Sequence, residues 1–302
     1  MTDLSREILE SWQVRHTRKQ KAEFIAFLKE RLPELSVEKG GVFGGKNLVL
    51  GDVSAAKVVF GAHYDTCAAL PFPNIVFPKS VPLSILYGFV PAIPLCLLMG
   101  LLTYLVGRFT DSFWLTELAI FLPLLLFIWM IYVGVANQHT ANDNTSGVVT
   151  LLELYASLSD EERKTAAFVL FDNEELGLFG SAAFYTAHKK EMKEKLLINA
   201  DCVSDGDELW LLLGKKVPEE QKEALREAFF GVTTKTVTVR PQKGSFYPSD
   251  QASFPVSVGA AAFKKGFLGL YLDRIHTSRD TVFDEENIRV FVSGFEKFVR
   301  AL

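Results

Sequence analysis

The sequence predicts an α/β fold: a mixed central β-sheet flanked by helices on both faces, with an inserted pair of hydrophobic helices long enough to cross a membrane. Three observations carry this expectation. Short apolar runs of strand character alternate with helical patterns along the 302 residues, 49% of which are hydrophobic. Several of these runs stop abruptly at histidine or acidic residues, most clearly in the stretch AAFVLFDNEELGLFGS that ends at Ser181. In open α/β sheets, that carboxyl edge of the strands is where ligands and catalytic groups gather. Between the two halves of the pattern lie an uncharged run, Val81–Gly107, and a second, Phe113–Ala136, that carries only Glu117.

Taken in order, Ser5 to about Leu32 reads as helix, with Trp12, Phe24 and Leu28 on its apolar face. The basic group Arg15–Lys21 reads as a solvated face, or alternatively as a contact for anionic lipid headgroups. Asn47–Leu50 and Lys57–Phe60 read as strands around the Gly51–Asp52 turn, and the second runs into His63, Tyr64 and Asp65. A lone histidine at such a point is more often a hydrogen-bonded core residue. The H-x-D spacing, however, adds a carboxylate able to fix the imidazole tautomer, the arrangement found behind metal-bound histidines. Prolines at 71, 73, 78 and 82 then exclude a regular helix or central strand.

Each apolar run exceeds the ~18 to 20 residues needed to cross a bilayer core. The short link Arg108–Ser112 makes them a hairpin that returns to its starting side. Pro91, Pro94 and Pro123 are tolerated in membrane spans, and Tyr104, Trp114, Trp129 and Tyr132 stand towards the ends, where interfacial anchors belong. The competing readings are a buried helical hairpin, a hydrophobic lid or a dimer surface. Residues 1–80 and 137–302 are thus expected to form one domain, with 81–136 as an inserted two-helix hairpin.

Beyond the hairpin, ANQHTANDNTSG centres on Asp143, with Thr145 or Ser146 available to cap the helix that follows. His139 in this loop reads as exposed or gating. Leu196–Ile198 is a strand ending in Asn199, Ala200 and Asp201. Further strands are expected at Glu208–Leu213, Val232–Arg240 and Val256–Phe263, and helices at Ser181–Met192, Pro218–Phe230 and Asp284–Leu302. IHTSRDT places His276 in a loop with Asp280 four residues on.

Composition narrows the function. A formal net charge of -4 with no basic stripe argues against nucleic acid as a partner. Cys67, Cys96 and Cys202 form neither a C-x-x-C motif nor an even disulfide framework, which fits a reducing compartment. The first residues lack the basic and apolar regions of a secretory signal. The expectation is an integral membrane protein with its polar domain on the cytoplasmic side.

Histidine, aspartate and glutamate thus recur in five loops, four of them directly after strand-like runs. They can meet only if the strand ends share one sheet edge. Adjacent carboxylates such as Glu174 and Glu175 repel, so a site that keeps both ionised usually holds a cation. Nitrogen and oxygen donors without sulfur suit zinc, with cobalt or manganese as substitutes.

H-Y-D, D-N-x-S-G, D-N-E-E-x-G-x-x-G-S, N-x-D and H-T-x-x-D-T occur here in one order, from His63 to Thr281. In this the chain resembles the M28 zinc exopeptidases, the aminopeptidase Y and Vibrio leucyl aminopeptidase group. The resemblance implies a three-layer zinc-exopeptidase fold and hydrolysis of peptide substrates by two zinc ions. It implies that His63, Asp143 and Asp201 hold one ion and Asp143, Glu175 and His276 the other. Glu174 would be the general base and Asp65 the residue that orients His63. Ser249–Phe254 resembles a segment beside the family's substrate pocket, with Gln251 where histidine is usual. Three other readings stand beside the aminopeptidase: a carboxypeptidase or dipeptidase on the same metal pair, a glutaminyl-cyclase-like acyltransferase, and a non-catalytic membrane scaffold. The departure from soluble members is 81–136, through which the chain is expected to contact membrane lipid.

Overall fold

The structure, a computed structural model, describes residues 1–302. The chain begins with α1 (Asp3–Ser11), α2 (Arg18–Arg31), β1 (Ser36–Lys39), β2 (Lys46–Leu50) and β3 (Val58–His63). The apolar insert forms α3 (Val81–Gly88), α4 (Ala92–Phe109) and α5 (Phe113–Tyr132). There follow α6 (Gly147–Ser157), α7 (Asp160–Arg163), β4 (Ala166–Phe171), α8 (Phe179–Ala187), α9 (Lys189–Met192) and β5 (Leu196–Ala200). The last third holds β6 (Glu208–Leu213), α10 (Glu219–Ala228), β7 (Thr236–Pro241), β8 (Ser257–Gly266), β9 (Gly269–Tyr271) and α11 (Glu285–Arg300).

One mixed sheet runs in the order β1-β2-β4-β3-β5-β8-β6-β7, with β9 paired to β8 alone. β4, β3, β5 and β8 are mutually parallel, whereas β2 and β6 run against their neighbours β4 and β8. The central strands are apolar at nearly every position because both faces are covered. Phe168 and Leu170 enter a core shared with α1, α2, α6, α10 and α11. Their alternates Ala167, Val169 and Phe171 enter a second core with Phe184 of α8 and Met192 of α9. Parallel pairing then does the positioning: His63 lies opposite Phe171 and Gly61 opposite Asn199, so β3, β4 and β5 finish within about two residues of one another on one edge.

The insert behaves differently. α4 buries no residue and α5 buries only Ala119 and Pro123, although the two helices pack against each other. This excludes the buried-hairpin reading. Val81–Phe109 and Phe113–Tyr132 are both long and apolar enough to cross a bilayer.

Two expectations need correction near the amino terminus. The single helix to Leu32 is two helices, because Thr17 caps α2 in a reciprocal pair with Gln20. The basic group is a solvated face only in part: Arg18 and Lys19 are exposed, but Arg15 and Lys21 turn inward. Arg15 is fully buried, with its guanidinium donating to the carbonyls of Tyr64 and Trp12 and to Thr145 Oγ1. Lys21 Nζ reaches Asp172 at 2.6 Å and Asn173 Oδ1 at 2.8 Å. The ends of β3 and β4 leave carbonyls and a carboxylate unpaired, and these two long cations satisfy them. β1 and β9 were not anticipated: SVEK is mostly exposed and GLY is too short to show a period.

Arg15→Ala removes the donor to the Tyr64 and Trp12 carbonyls at once, and is expected to lower unfolding stability by at least about 2 kcal/mol in denaturant titration.

Candidate metal centre

The five predicted ligands converge at that sheet edge. His63, the last residue of β3, donates through Nδ1–H to the carbonyl of Asp65 at 3.0 Å. Its Nε2 lies 3.3 Å from Asp143 Oδ1 and 3.6 Å from Asp201 Oδ1. His276 Nε2 lies 3.0 Å from Asp143 Oδ2 and 3.2 Å from Glu175 Oε2. The two oxygens of Asp143 therefore face different histidines. With Nδ1–H committed to a carbonyl, Nε2 is the ring nitrogen that His63 turns inward; in the ion-free site Glu174, Asp143 and Asp201 outweigh burial and hold the imidazole well above its ordinary pKa.

Backbone groups hold these side chains in place. The turn Ala141–Ser146 presents the N–H groups of Asn142 and Asp143 to the two carboxylate oxygens of Asp280, each at 2.9 Å. Asn144 ties the same turn to β5, donating to Ala200 O at 3.1 Å and accepting from Gly147 N at 3.0 Å. It is thus Asn144, and not Thr145 or Ser146, that caps α6. Ser146 Oγ donates to Asn142 O, and Thr145 is taken by Arg15. The acidic turn after β4 needs glycine at 180, where a Cβ would stand 2.0 Å from the carbonyl of Asp172. Asp65 also differs from expectation. Its backbone carbonyl orients His63, with the carboxylate 3.6 Å away, and that carboxylate accepts the N–H groups of Glu174 (3.1 Å) and Glu175 (3.3 Å). A strand-end turn exposes two donors, and a buried carboxylate two residues past the neighbouring strand is within their reach.

Electrostatics show what the pocket lacks. Asp143, Glu174, Glu175 and Asp201 crowd around two imidazoles, and Glu175 Oε1 and Asp201 Oδ1 are buried without any hydrogen-bond partner. Burial pushes the Glu174 carboxyl well above the usual range, with Glu175 and Asp250 adding to it against the pull of His63. Glu175 is pushed up to about 8 and Asp280 to about 8, in both cases chiefly by burial. His276 rises to about 9 because Glu175 and Asp143 outweigh its burial. Excess negative charge, orphaned carboxylate oxygens and a nitrogen and oxygen donor set fit divalent cations. Cys67 also lies within ligand range of Glu175 and His276, but burial pushes its thiol well up.

The model of peptidase family M28 matches residues 131–292, more than half of the chain. The chain belongs to this peptidase family. The match takes in Asp143, Glu174, Glu175, Asp201 and His276 but begins after His63, which lies across the insert. The fold is shared with the LapA aminopeptidase of Legionella pneumophila, at TM-score 0.55 and 14% identity over 98% of this chain and 67% of that one. It is shared likewise with the TET1 peptidase of Pyrococcus horikoshii, at 0.52 and 13% over 97% and 98%. A search of curated proteins returned no match.

In this M28 peptidase a cleft of about 870 Å³ opens beside Asp65, Glu175 and His276. Phe43, Leu176 and Phe179 make it apolar on one side, and Ile131, Tyr132 and Val133 at the end of α5 close the other. His16 ties the chain after β3 to the end of α5, reaching Thr66 O at 2.9 Å and Val133 O at 3.1 Å. No pattern in the sequence marked His16. His139 is exposed and engages only through its backbone. Gln251 does not line the cleft. It is buried beneath β5, accepting from Asn199 and donating to Tyr247 O, while the Tyr247 hydroxyl donates to Asp201 O at 2.8 Å.

Raised carboxyl pKa values mean that the folded, ion-free chain binds protons that the unfolded chain has released. Glu175 and Asp280 do so from about pH 4 to 8, and Asp250, raised to about 7 by burial, over a narrower range. His276 adds the same sign from about 6.5 to 9. Protein stripped by a chelator is therefore expected to lose thermal stability steadily as pH rises from 5 to 9, read as a falling Tm, and added zinc should flatten the profile.

Proposed function

We infer that the chain is a two-metal exopeptidase, an aminopeptidase, whose peptidase domain (1–80 with 137–302) is held at a membrane by residues 81–136. The observation that carries this reading is the placement of one histidine against each oxygen of Asp143, with Asp201 completing one donor set and Glu175 the other. His63, Asp143 and Asp201 would hold one zinc, and Asp143, Glu175 and His276 a second, with cobalt or manganese suited to the same donors. Such ions supply Lewis acidity towards a peptide carbonyl and let a water lose its proton near neutral pH.

Glu174 is the carboxylate left outside both donor sets. It is half-buried beside the cleft-lining Glu175, and its backbone is pinned by Asp65. As general base it takes the proton of the attacking water and delivers it to the departing amine. Asp65 and Asp280 act through others: one fixes the turn carrying Glu174 and Glu175, the other fixes the backbone of Asp143. The apolar walls of the cleft favour peptides with a large apolar first residue. The Legionella relative is an aminopeptidase, and that supports assigning the amino end of the substrate here.

The apolar, unburied faces of α4 and α5 support bilayer insertion. The free Cys67, Cys96 and Cys202 support a cytoplasmic peptidase domain.

Glu174→Gln is expected to retain bound metal while hydrolysis of an unblocked peptide falls by about two to four orders of magnitude; unchanged turnover would remove Glu174 from the mechanism. Membranes washed with alkaline carbonate should keep the full chain in the pellet, and its release to the supernatant would refute insertion of 81–136.

A further inference from the structure

Outside the insert, Phe267 is the most exposed large apolar side chain, fully open to solvent, and Leu268 beside it is 65% exposed. Together they form the tip of the β8–β9 turn. A tip that displays both side chains to water forgoes the stabilisation that their burial would give.

Sheet register fixes where the tip points. Ala260 of β8 lies opposite Ala200, the last residue of β5, and the strands are parallel. The remaining six residues of β8 therefore run on past the candidate metal edge for about 20 Å. β6 pairs with β8 only as far as Phe263, so from Lys264 onward β8 and β9 form a two-stranded ribbon standing clear of the sheet. The insert leaves from the same edge: Ala68 bridges Ala136, Ala69 N–H donates to Val135 O at 2.8 Å, and the end of α5 closes the cleft. The root of the ribbon is braced. Lys264 pairs with Asp205 and Asp273, Arg274 pairs with Asp205, and Leu272 exchanges two 2.9 Å backbone hydrogen bonds with Val76. Lys265 remains exposed next to the tip.

We propose that Phe267 and Leu268, with Lys265 above them, dock into the headgroup layer of the bilayer that holds α4 and α5. An apolar pair with a flanking lysine matches that layer, where rings and aliphatic chains enter the acyl boundary and the ammonium stays among phosphates. The convex, two-residue tip offers no groove for a protein partner. This rests on the insert being a membrane anchor, and it sets the orientation that an anchor alone leaves free. The metal edge and its cleft face the lipid surface, so the substrates are peptides whose amino end is presented at that surface. Five residues after β9 the chain reaches His276, which places the docked ribbon in rigid continuity with the candidate centre.

The test uses full-length protein in lipid nanodiscs, with the exposed Cys96 changed to Ser and one environment-sensitive fluorophore attached at Leu268→Cys, Leu125→Cys within α5, or Ala55→Cys at the opposite sheet edge. Each variant is first required to hydrolyse a soluble peptide at the parent rate. Nitroxide-headgroup lipid should remove most emission from position 268 and leave position 55 unchanged, while acyl-chain nitroxide quenches position 125. Quenching at 125 without quenching at 268 would overturn the docked ribbon and leave the anchor standing. Quenching at neither would overturn the anchor reading and this one with it.

Discussion

The constraint on which the site depends is the sharing of Asp143. One carboxylate can serve two histidines only if His63 at the end of β3 and His276 in a loop over 200 residues later approach it from opposite sides. That requires β3, β4 and β5 to be parallel and flush, and it requires the Asp143 backbone to be immobile. Asp280 and Asn144 meet the second requirement with hydrogen bonds to backbone groups, which carry no rotamer freedom of their own. Behind them Arg15 closes the layer by joining Tyr64 to Thr145. A cluster with more carboxylates than imidazoles is self-repelling, so the surrounding frame is built to hold a geometry that is favourable only with cations present.

Much of this was legible in the sequence because strand-end chemistry is local. An apolar run followed at once by His, Asp or Glu announces a buried strand and a group delivered to its end, and Leu196–Asp201 or AAFVLF before Asp172 needs no tertiary knowledge to be read that way. The hairpin was legible for the same reason, since length and lack of charge are properties of a segment. Arg15, Lys21 and His16 were not. Apart from Trp12, the partners of these side chains lie 49 to 152 residues away, and a basic stretch looks the same whether it faces water or fills a gap between strand ends. Gln251 shows the same limit from the other side: its motif pointed to the cleft, but its amide is spent holding Asn199 and Tyr247 beneath it.

The insert interrupts the fold at a point where interruption costs little. Cys67 and Asn137 are joined by a backbone hydrogen bond of 3.1 Å, and Ala68 and Ala136 form an antiparallel bridge, so the chain leaves and returns through one narrow gate. Apart from the bridge between Val76 and Leu272, everything between those residues is a closed loop as far as the sheet is concerned, and lengthening a closed loop costs only logarithmically in entropy. The register of β3 against β4 and β5 is therefore indifferent to what the loop contains.

The gate is not indifferent to the site, however. Leu70 N–H donates to His276 O at 2.8 Å, and Asn137 Nδ2 donates to Thr277 O at 3.0 Å, so both sides of the gate are bonded to the loop that carries the second histidine. Phe72 stacks on Phe127 and the Tyr87 hydroxyl donates to Pro73 O, which continues the connection into α5 and α3. No flexible linker separates the apolar helices from the candidate metal centre. A displacement of the helices relative to the sheet has to be absorbed either by breaking buried hydrogen bonds, at about 1 kcal/mol or more each, or by moving His276 against Asp143. The cheaper outcome is that the helices and the site move as one body, which makes the orientation of the hairpin an orientation of the chemistry.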